Sequence, residues 1–138
     1  MSTYHPWRHL REMDDVEVLW TDLPDGLLAL TDGDTIWMDR RQPQAQRRST
    51  LAHELAHRAA GHVGCQPPAV EAEVEAAAAR RLVPLAALIH AALWARGIEE
   101  LADDLWVDVG IVHTRLATLT DDERAQYRAA IEARGEAP

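Results

Sequence analysis

The stretch that decides the fold runs from Gln44 to Ala60 and reads QAQRRSTLAHELAHRAA. It contains no glycine or proline, and Leu51, Leu55 and several alanines recur at helical spacing until Gly61 ends the run. Pro43 suits the first position of a helix, where no intrahelical N–H is needed. These features predict one uninterrupted helix.

Three residues of this helix, His53, Glu54 and His57, form the pattern HExxH. Residues four apart on an α-helix differ by about 40° around the axis, so the two imidazoles share a face and can bind one metal ion. Glu54 lies beside them, where its carboxylate can accept a proton from water on the metal. This arrangement is typical of zinc metallopeptidases, so we predict a Zn²⁺ site with Glu54 as the catalytic base.

A third ligand has to come from outside the motif, because catalytic zinc takes three protein ligands and leaves one position open. His62 follows His57 by five residues, which turns it about 140° away from the ligand face. It also follows Gly61, where the predicted helix ends. Cys65 lies in the same loop, and we interpret it as incidental.

Glu71 is the stronger candidate for the third ligand. It opens a second, alanine-rich helix after two prolines, in the run Glu71–Glu75. Glu75 lies four residues further along the same face, where its carboxylate can hold the second ring nitrogen of a ligating histidine. The alternative is that these glutamates, with Glu73, only stabilise a helix N-terminus through the dipole.

Period-two patterns ahead of the motif predict strands at Val16–Trp20, Gly26–Thr31 and Thr35–Asp39, the last two forming a hairpin around Gly33. A strand just before a metal-binding helix can pair through its edge with an extended peptide. From Pro43 onward the pattern is helical. We therefore predict an α+β fold, with a small antiparallel β-sheet packed on a mainly helical body that carries the HExxH helix.

The length of 138 residues suits one hydrophobic core, so we predict a single domain over residues 1–138. Its parts are a β-rich segment at 1–42, the zinc-site helices at 43–96 and a C-terminal part at 97–138. Within the second part, a helix is predicted from Pro84 to about Arg96.

The C-terminal part has the layout of a helix-turn-helix over residues 98–119, and a capping box of Thr120 and Glu123 then opens a final helix. The second helix of the pair offers only His113 and Arg115 as basic residues, and the first carries four acids. Phosphate contacts need lysine or arginine, and the net charge is −9. We expect this segment to pack or to dock a partner, not to bind DNA.

All 14 basic residues are arginines, and Arg40, Arg41, Arg47 and Arg48 form a cluster just before the motif. We interpret the cluster as a solvated face, with a substrate-docking patch as the alternative. The one cysteine cannot form an internal disulfide, no apolar run approaches 18 residues, and the first residues lack a signal-peptide layout. These features predict a cytoplasmic protein without membrane contact.

Two blocks in fixed order carry a resemblance to a known family. The first is Arg47–His57, RRSTLAHELAH, and the second is Glu71–Pro84, EAEVEAAAARRLVP. They resemble the patterns RRxTLAHELxH and ExEAxxFAAxLLMP of the ImmA/IrrE metallo-endopeptidases in order and in spacing. With a later LAxxxxVxxxxVxxRLxxL pattern, the resemblance covers residues from about 16 to 119.

The resemblance implies a zinc-dependent cytoplasmic endopeptidase with His53, His57 and Glu71 as ligands and Glu54 as base. It also implies a protein substrate, because such proteins often sit beside phage or mobile-element repressors and relieve repression by cleaving them. We therefore expect the substrate to be a helix-turn-helix transcriptional repressor encoded nearby.

The chain departs from the family pattern at four positions of the second block, and none of them removes a ligand. Glu75 stands where aspartate or asparagine is typical, which leaves its contact with a ligating histidine in question because its side chain is longer. Val74 replaces a small alanine, Ala77 replaces phenylalanine and Arg81 replaces an apolar residue, so local packing must differ.

Two other functions compete with the peptidase: a DNA-binding regulator that uses residues 98–119, and a non-catalytic protein that docks a repressor without cutting it. An intact Glu54 disfavours both, since a structural metal site has no use for a base. Spacing does not identify the residue that stabilises the oxyanion. The candidates are Tyr4, His90, His113 and Tyr127.

Overall fold

A computed structural model describes residues 4–136 of the chain. In chain order the elements are α1 (Pro6–Arg11), β1 (Glu17–Thr21), β2 (Ala29–Asp32), β3 (Thr35–Asp39), α2 (Gln44–Ala59), α3 (Pro68–Leu82), α4 (Leu85–Ala92), α5 (Ile98–Leu105), α6 (Val109–Ala117) and α7 (Asp121–Glu136). None of the helices in this described range is long and apolar enough to cross a membrane. The α+β class is confirmed, and so is the uninterrupted helix that carries the motif.

The three strands lie in the order β1-β3-β2, with β3 at the centre. The predicted hairpin of β2 and β3 is confirmed, whereas β1 runs parallel to β3, so the prediction of a wholly antiparallel sheet is wrong at that strand. The central position suits β3 because its Ile36 and Met38 are the fully buried residues of the sheet. Placing β3 in the middle covers both of them.

The loop of residues 22–28 makes the parallel pairing possible by crossing the end of β3. Asp39 holds this crossing in place: its Oδ1 accepts the Leu23 N–H at 3.1 Å, and its own N–H donates to the Leu28 carbonyl at 2.9 Å. Arg41 donates to Asp39 and to the Leu23 carbonyl from the outside. Nothing in the hydrophobic period of the strands signals this side-chain anchor.

Helix α2 lies between two hydrophobic clusters. On one side Leu51 and Leu55, both fully buried, pack with Ile36 and Met38 of β3. On the other side Ala52 joins the larger cluster formed by the helices from α3 to α6. Successive residues of a helix are about 100° apart, so these two sides leave one strip of α2 free for the HExxH side chains.

Two helical boundaries differ from the prediction. Helix α4 ends at Ala92 instead of reaching Arg96, because the chain tightens into a turn in which the N–H of Trp94 donates to the Ala91 carbonyl three residues back. The exposed Trp94 of this turn is covered by Arg134 of α7, with 4.4 Å between the guanidinium carbon and the ring centre. Helix α1 was not predicted, since six residues are too few to show a helical period.

Arg115 is buried, although it is the one arginine of the second helix in the predicted helix-turn-helix. Its side chain is 1% exposed, and its Nε donates to the Val83 carbonyl at 2.7 Å. Its Nη2 donates to Glu123 at 2.8 Å. The exposed surface of α6 therefore offers His113 and no arginine.

Glu123 joins the C-terminal helix to the rest of the body. The capping box is confirmed, with Thr120 N–H to Glu123 Oε1 at 3.0 Å and Glu123 N–H to Thr120 Oγ1 at 3.1 Å. The carboxylate also accepts from Arg115 and from Arg80. The Arg115 hydrogen bond, the Thr120 N–H and the Arg80 guanidinium together hold the pKa of Glu123 well below its usual value of 4.5.

We expect Glu123→Gln to lower the free energy of unfolding at pH 7 by about 3 kcal/mol, because it leaves the buried Arg115 without a counter-charge. The pKa of Glu123 is lower in the folded protein than in the unfolded chain, where it is near 4.5, so the ionised carboxylate stabilises the fold above pH 4.5. This stabilisation is lost as the pH falls below 4.5 toward the lower pKa of the folded protein. Urea unfolding at pH 7 and pH 3 measures both effects. The wild type should lose more stability between these pH values than the variant does. Glu132→Gln, an exposed change on α7, is the control, and equal stability of Glu123→Gln and wild type at pH 7 would contradict the assignment.

Candidate metal centre

The two histidines of the motif converge at one point on α2. Their Nε2 atoms lie 3.1 Å apart. His57 is buried, with 8% of its surface exposed, and His53 is half-buried. The i, i+4 spacing on a straight helix produces this convergence, as the sequence predicts.

Helix α3 brings Glu71 to the same point. Its Oε2 lies 2.9 Å from His57 Nε2 and 3.2 Å from His53 Nε2. Ligands of a tetrahedral zinc ion, each about 2.0–2.1 Å from the metal, are about 3.3 Å from one another. The three donor atoms are therefore spaced closely enough to be ligands of one ion, and within residues 4–136 they are the group that can hold a metal.

The second ring nitrogens of both histidines are also engaged. Glu75 Oε2 lies 2.6 Å from His53 Nδ1, so the longer side chain that departs from the family pattern does reach the histidine. His62 Nδ1 lies 3.1 Å from His57 Nδ1. Contacts of this kind fix the orientation of a ligating imidazole and leave its Nε2 directed at the metal.

The position of His62 differs from the expectation that it points away from the site. Gly61 adopts a φ of +76°, and the N–H of His62 donates back to the His57 carbonyl at 3.0 Å. This left-handed turn at the end of α2 folds His62 back against His57, which a continued helix would not do. His62 thus lies behind one predicted ligand and does not share the point where the three donors meet.

Glu54 lies beside the histidines and is held by a residue of the sheet. Thr31 of β2 donates from its Oγ1 to Glu54 Oε2 at 2.5 Å. This bond occupies one carboxylate oxygen and orients the other. Thr31 was not among the predicted site residues, because a threonine in a strand carries no signal of a contact with a helix residue 23 positions later.

The carboxylates around the site favour positive charge. Burial by itself would lower the pKa of His53, but the hydrogen-bonded Glu75 and the nearby Glu54 and Glu71 raise it above the usual value. Burial would raise the pKa of Glu71, but hydrogen bonds from His57 and from the Gln66 N–H lower it. The site therefore attracts a cation, and protons compete with a metal for His53.

Two clefts open beside the donor atoms, and both border Ala29, His53 and Glu54. The first cleft has a volume of about 210 Å³, and its other lining residues are Leu27, Leu30, Thr31, His57, His62, Gly64, Cys65 and Glu71. The second has a volume of about 280 Å³, and its other lining residues are Gly26, Leu28, Ser49, Thr50, Glu75 and Asp108. Because they share these residues, the two clefts adjoin and form one groove beside β2 and Glu54.

Asp108 is a further acid at the groove and was not among the predicted site residues. Its Oδ1 accepts the Ile111 N–H at 2.8 Å and so caps α6. Burial raises its pKa, and the nearby Glu75 adds to this effect. The capping pattern at the start of a helix is visible in the sequence, but its position next to Glu75 depends on how α6 packs on α3.

The proposed oxyanion residues do not line the groove. Within the described residues, Tyr4 donates or accepts at His9 Nδ1 at 2.7 Å, and Tyr127 packs against the helical core. His90 and His113 are exposed elsewhere. No oxyanion group is therefore assigned among these four.

The predicted arginine cluster divides between the surface and the interior. Arg40 pairs with Asp22, Arg41 pairs with Asp39, and Arg47 lies over the Trp20 ring at 4.7 Å. The fourth residue, Arg48, is buried, with only 5% of its surface exposed. The cluster is thus not one continuous basic face.

A helix that presents two histidines and a glutamate, with a second glutamate from the next helix, defines a site of the metallopeptidase type. Residues 12–117 match the family model Peptidase_M78, described as an IrrE N-terminal-like domain, and the chain belongs to this family. The resemblance to ImmA/IrrE proteins is thereby confirmed, and membership supports a peptidase function. No curated protein and no solved structure gives a significant match to the chain.

Proposed function

We propose that the protein is a zinc-dependent endopeptidase. The observation that carries the proposal is the meeting of His53 Nε2, His57 Nε2 and Glu71 Oε2 beside Glu54 at an open groove. Two imidazole nitrogens and one carboxylate oxygen suit zinc, and this set recurs in catalytic zinc sites. When bound there, zinc would supply a Lewis acid that polarises the substrate carbonyl and makes water more acidic.

Four side chains of the protein would transfer the proton and hold the reacting groups in position. Glu54 accepts the proton of the attacking water and returns it to the amine that leaves when the peptide bond breaks. Thr31 holds the Glu54 carboxylate in the orientation for this transfer. Glu75 and His62 keep the two imidazoles turned toward the metal.

The peptide substrate would lie along β2. Among the described strands β2 pairs with β3 alone, so its other edge has backbone groups that an extended peptide can bind. Leu27, Leu28 and Leu30 are each about 40% exposed along this groove, and they favour a substrate with apolar side chains.

We further propose that the substrate is a helix-turn-helix repressor encoded nearby, cut in an exposed extended segment, as the family resemblance implies. Burial of Arg115 disfavours the alternative of a DNA-binding regulator, because it removes the arginine that would contact phosphate. The docking alternative is weakened by the placement of Glu54 at the donor atoms.

Metal removal tests the proposed function. We expect the chelator-treated protein to stop cleaving the purified repressor and to resume cleavage when one equivalent of Zn²⁺ is added. Mass spectrometry of the products identifies the cut, and Mg²⁺ serves as the matched control because it prefers all-oxygen ligands. Cleavage that persists without metal would rule out a metallopeptidase.

We expect Thr31→Val to lower kcat about tenfold with little change in KM, the effect of losing one hydrogen bond that orients the base. Valine keeps the shape of threonine and its preference for strands, so the sheet should be unaffected. Thr31→Ser, which retains the hydroxyl, should restore most of the rate. If valine and serine variants have the same kcat, the Thr31–Glu54 bond plays no part in catalysis.

A further inference from the structure

A third cleft, which none of the three proposed metal ligands lines, gathers positive charge in a protein whose net charge is −9. It has a volume of about 200 Å³ and lies where α1, the start of α2 and the turn between α5 and α6 meet. The residues that matter here are His5, Trp7, Arg8, Arg11, Arg48 and Trp106. No carboxylate lines the cleft among the described residues. We call it the arginine cleft.

Arg48 is the buried member of this set. Only 5% of its surface is exposed, and its terminal nitrogens donate to the carbonyls of Trp106 at 3.1 Å and Tyr4 at 2.9 Å. Its Nε has no hydrogen-bond partner within residues 4–136, and no carboxylate pairs with it there. A buried cation without a counter-ion is costly unless a ligand supplies one.

Two more guanidinium groups stand at the rim, on α1. Arg8 is exposed and makes no ion pair within the described chain, and Arg11 makes one long hydrogen bond, 3.4 Å from its Nε to the Trp7 carbonyl. Gln44, the first residue of α2, also lines the cleft, and no side chain caps that positive helix end. All of these groups attract an anion.

Trp106 forms one wall in an unusual backbone conformation. Its φ is +57°, in the left-handed region that normally takes glycine at the end of a helix, and 55% of the residue's surface is exposed. Trp7 also lines the cleft, and its ring stacks on Trp20 at 5.6 Å between centres. Flat indole surfaces beside guanidinium groups suit a ligand that combines an anion with a planar part.

We propose that the arginine cleft binds a phosphate group, either as the free ion or carried by a nucleotide. A phosphate offers several oxygens and up to two charges, which match guanidinium donors from Arg8, Arg11 and Arg48 better than a single carboxylate does. The negative charge of this ligand would also supply the counter-charge that the buried Arg48 lacks within the described residues. The inference concerns a site apart from the metal centre and does not depend on the proposed peptidase function.

Thermal unfolding and calorimetric titration of the metal-loaded protein test the proposal, with inorganic phosphate and adenosine monophosphate as ligands. We expect phosphate to raise the Tm more than sodium chloride of the same ionic strength does, since a ligand of the folded state stabilises it. Arg8→Gln should weaken binding about tenfold, whereas Arg128→Gln, which removes the same charge from exposed α7, should not. Equal affinity for the two ligands supports the free ion, and tighter binding of the nucleotide supports a nucleotide.

Trp106→Gly separates binding from folding. Glycine accepts the positive φ more readily, so the variant should be at least as stable as the wild type, yet it lacks the wall and should bind adenosine monophosphate more weakly. Phosphate binding that Arg8→Gln leaves unchanged would place the anion elsewhere, for example at the metal, and would overturn the proposal. Binding of acetate but not of phosphate would overturn it as well.

Discussion

Glu54→Gln is expected to abolish proteolysis while fold and metal content stay as in the wild type. Glutamine has nearly the volume of glutamate and can still accept the Thr31 hydrogen bond, but it cannot take up a proton at neutral pH. General base assistance contributes about 10² to 10⁴ in rate, so cleavage should fall below detection in an ordinary assay. Co-expression of the variant with the proposed repressor substrate, followed by mass spectrometry, measures the result.

Glu73→Gln is the matched control, because Glu73 is exposed on α3 and lies outside the group of donor atoms. This variant should cleave as the wild type does. Equal cleavage by Glu54→Gln and wild type would show that Glu54 is not the base. Relief of repression by Glu54→Gln without any cut would favour a docking protein in place of an enzyme.

Glu71→Ala is expected to reduce the bound zinc from about one ion per chain to nearly none, because it removes one of the three proposed protein ligands. It also removes the acceptor of the Gln66 N–H, so the loop before α3 loses a tie to the site. His62→Ala should lower the affinity by only about 10- to 100-fold, the usual effect of losing a group that orients a ligand. Elemental analysis after dialysis against a weak chelator distinguishes the two variants.

Glu73→Ala, two residues away on the same helix, should retain its metal and so controls for a general effect on α3. The reverse order, with zinc lost in His62→Ala and kept in Glu71→Ala, would mean that the third ligand is His62. Circular dichroism of each variant shows whether the helices remain formed.

Local patterns in the sequence were sufficient to predict the helix of the motif, the hairpin and the capping box. Each depends on residues that are close in the chain, such as the i, i+4 pair of His53 and His57 or the exchange between Thr120 and Glu123. Glu71 could be proposed because a second helix follows with a glutamate at its start. The i, i+4 spacing predicted that Glu71 and Glu75 share one face of α3, and in the structure this face meets the histidines.

The remaining parts of the site depend on contacts between elements that no local pattern encodes. Thr31 reaches Glu54 because β2 packs against α2, and His62 reaches His57 because Gly61 adopts a left-handed conformation. The parallel pairing of β1 depends on the Asp39 anchor across a loop. A period of two identifies a strand, but it does not determine which neighbour the strand selects.

Burial of α2 on both sides limits how the chain can vary over evolution. The helix cannot move toward the sheet or toward the helical body without opening a void on the side it leaves, and close-packed interiors tolerate such voids poorly. A methyl group gained or lost at Leu55 or Ala52 would therefore displace the imidazoles of His53 and His57, although neither residue is one of the three donor groups. Mutational drift should accumulate on the outer face of α7, while the small and large residues on the two flanks of α2 change only in compensating pairs.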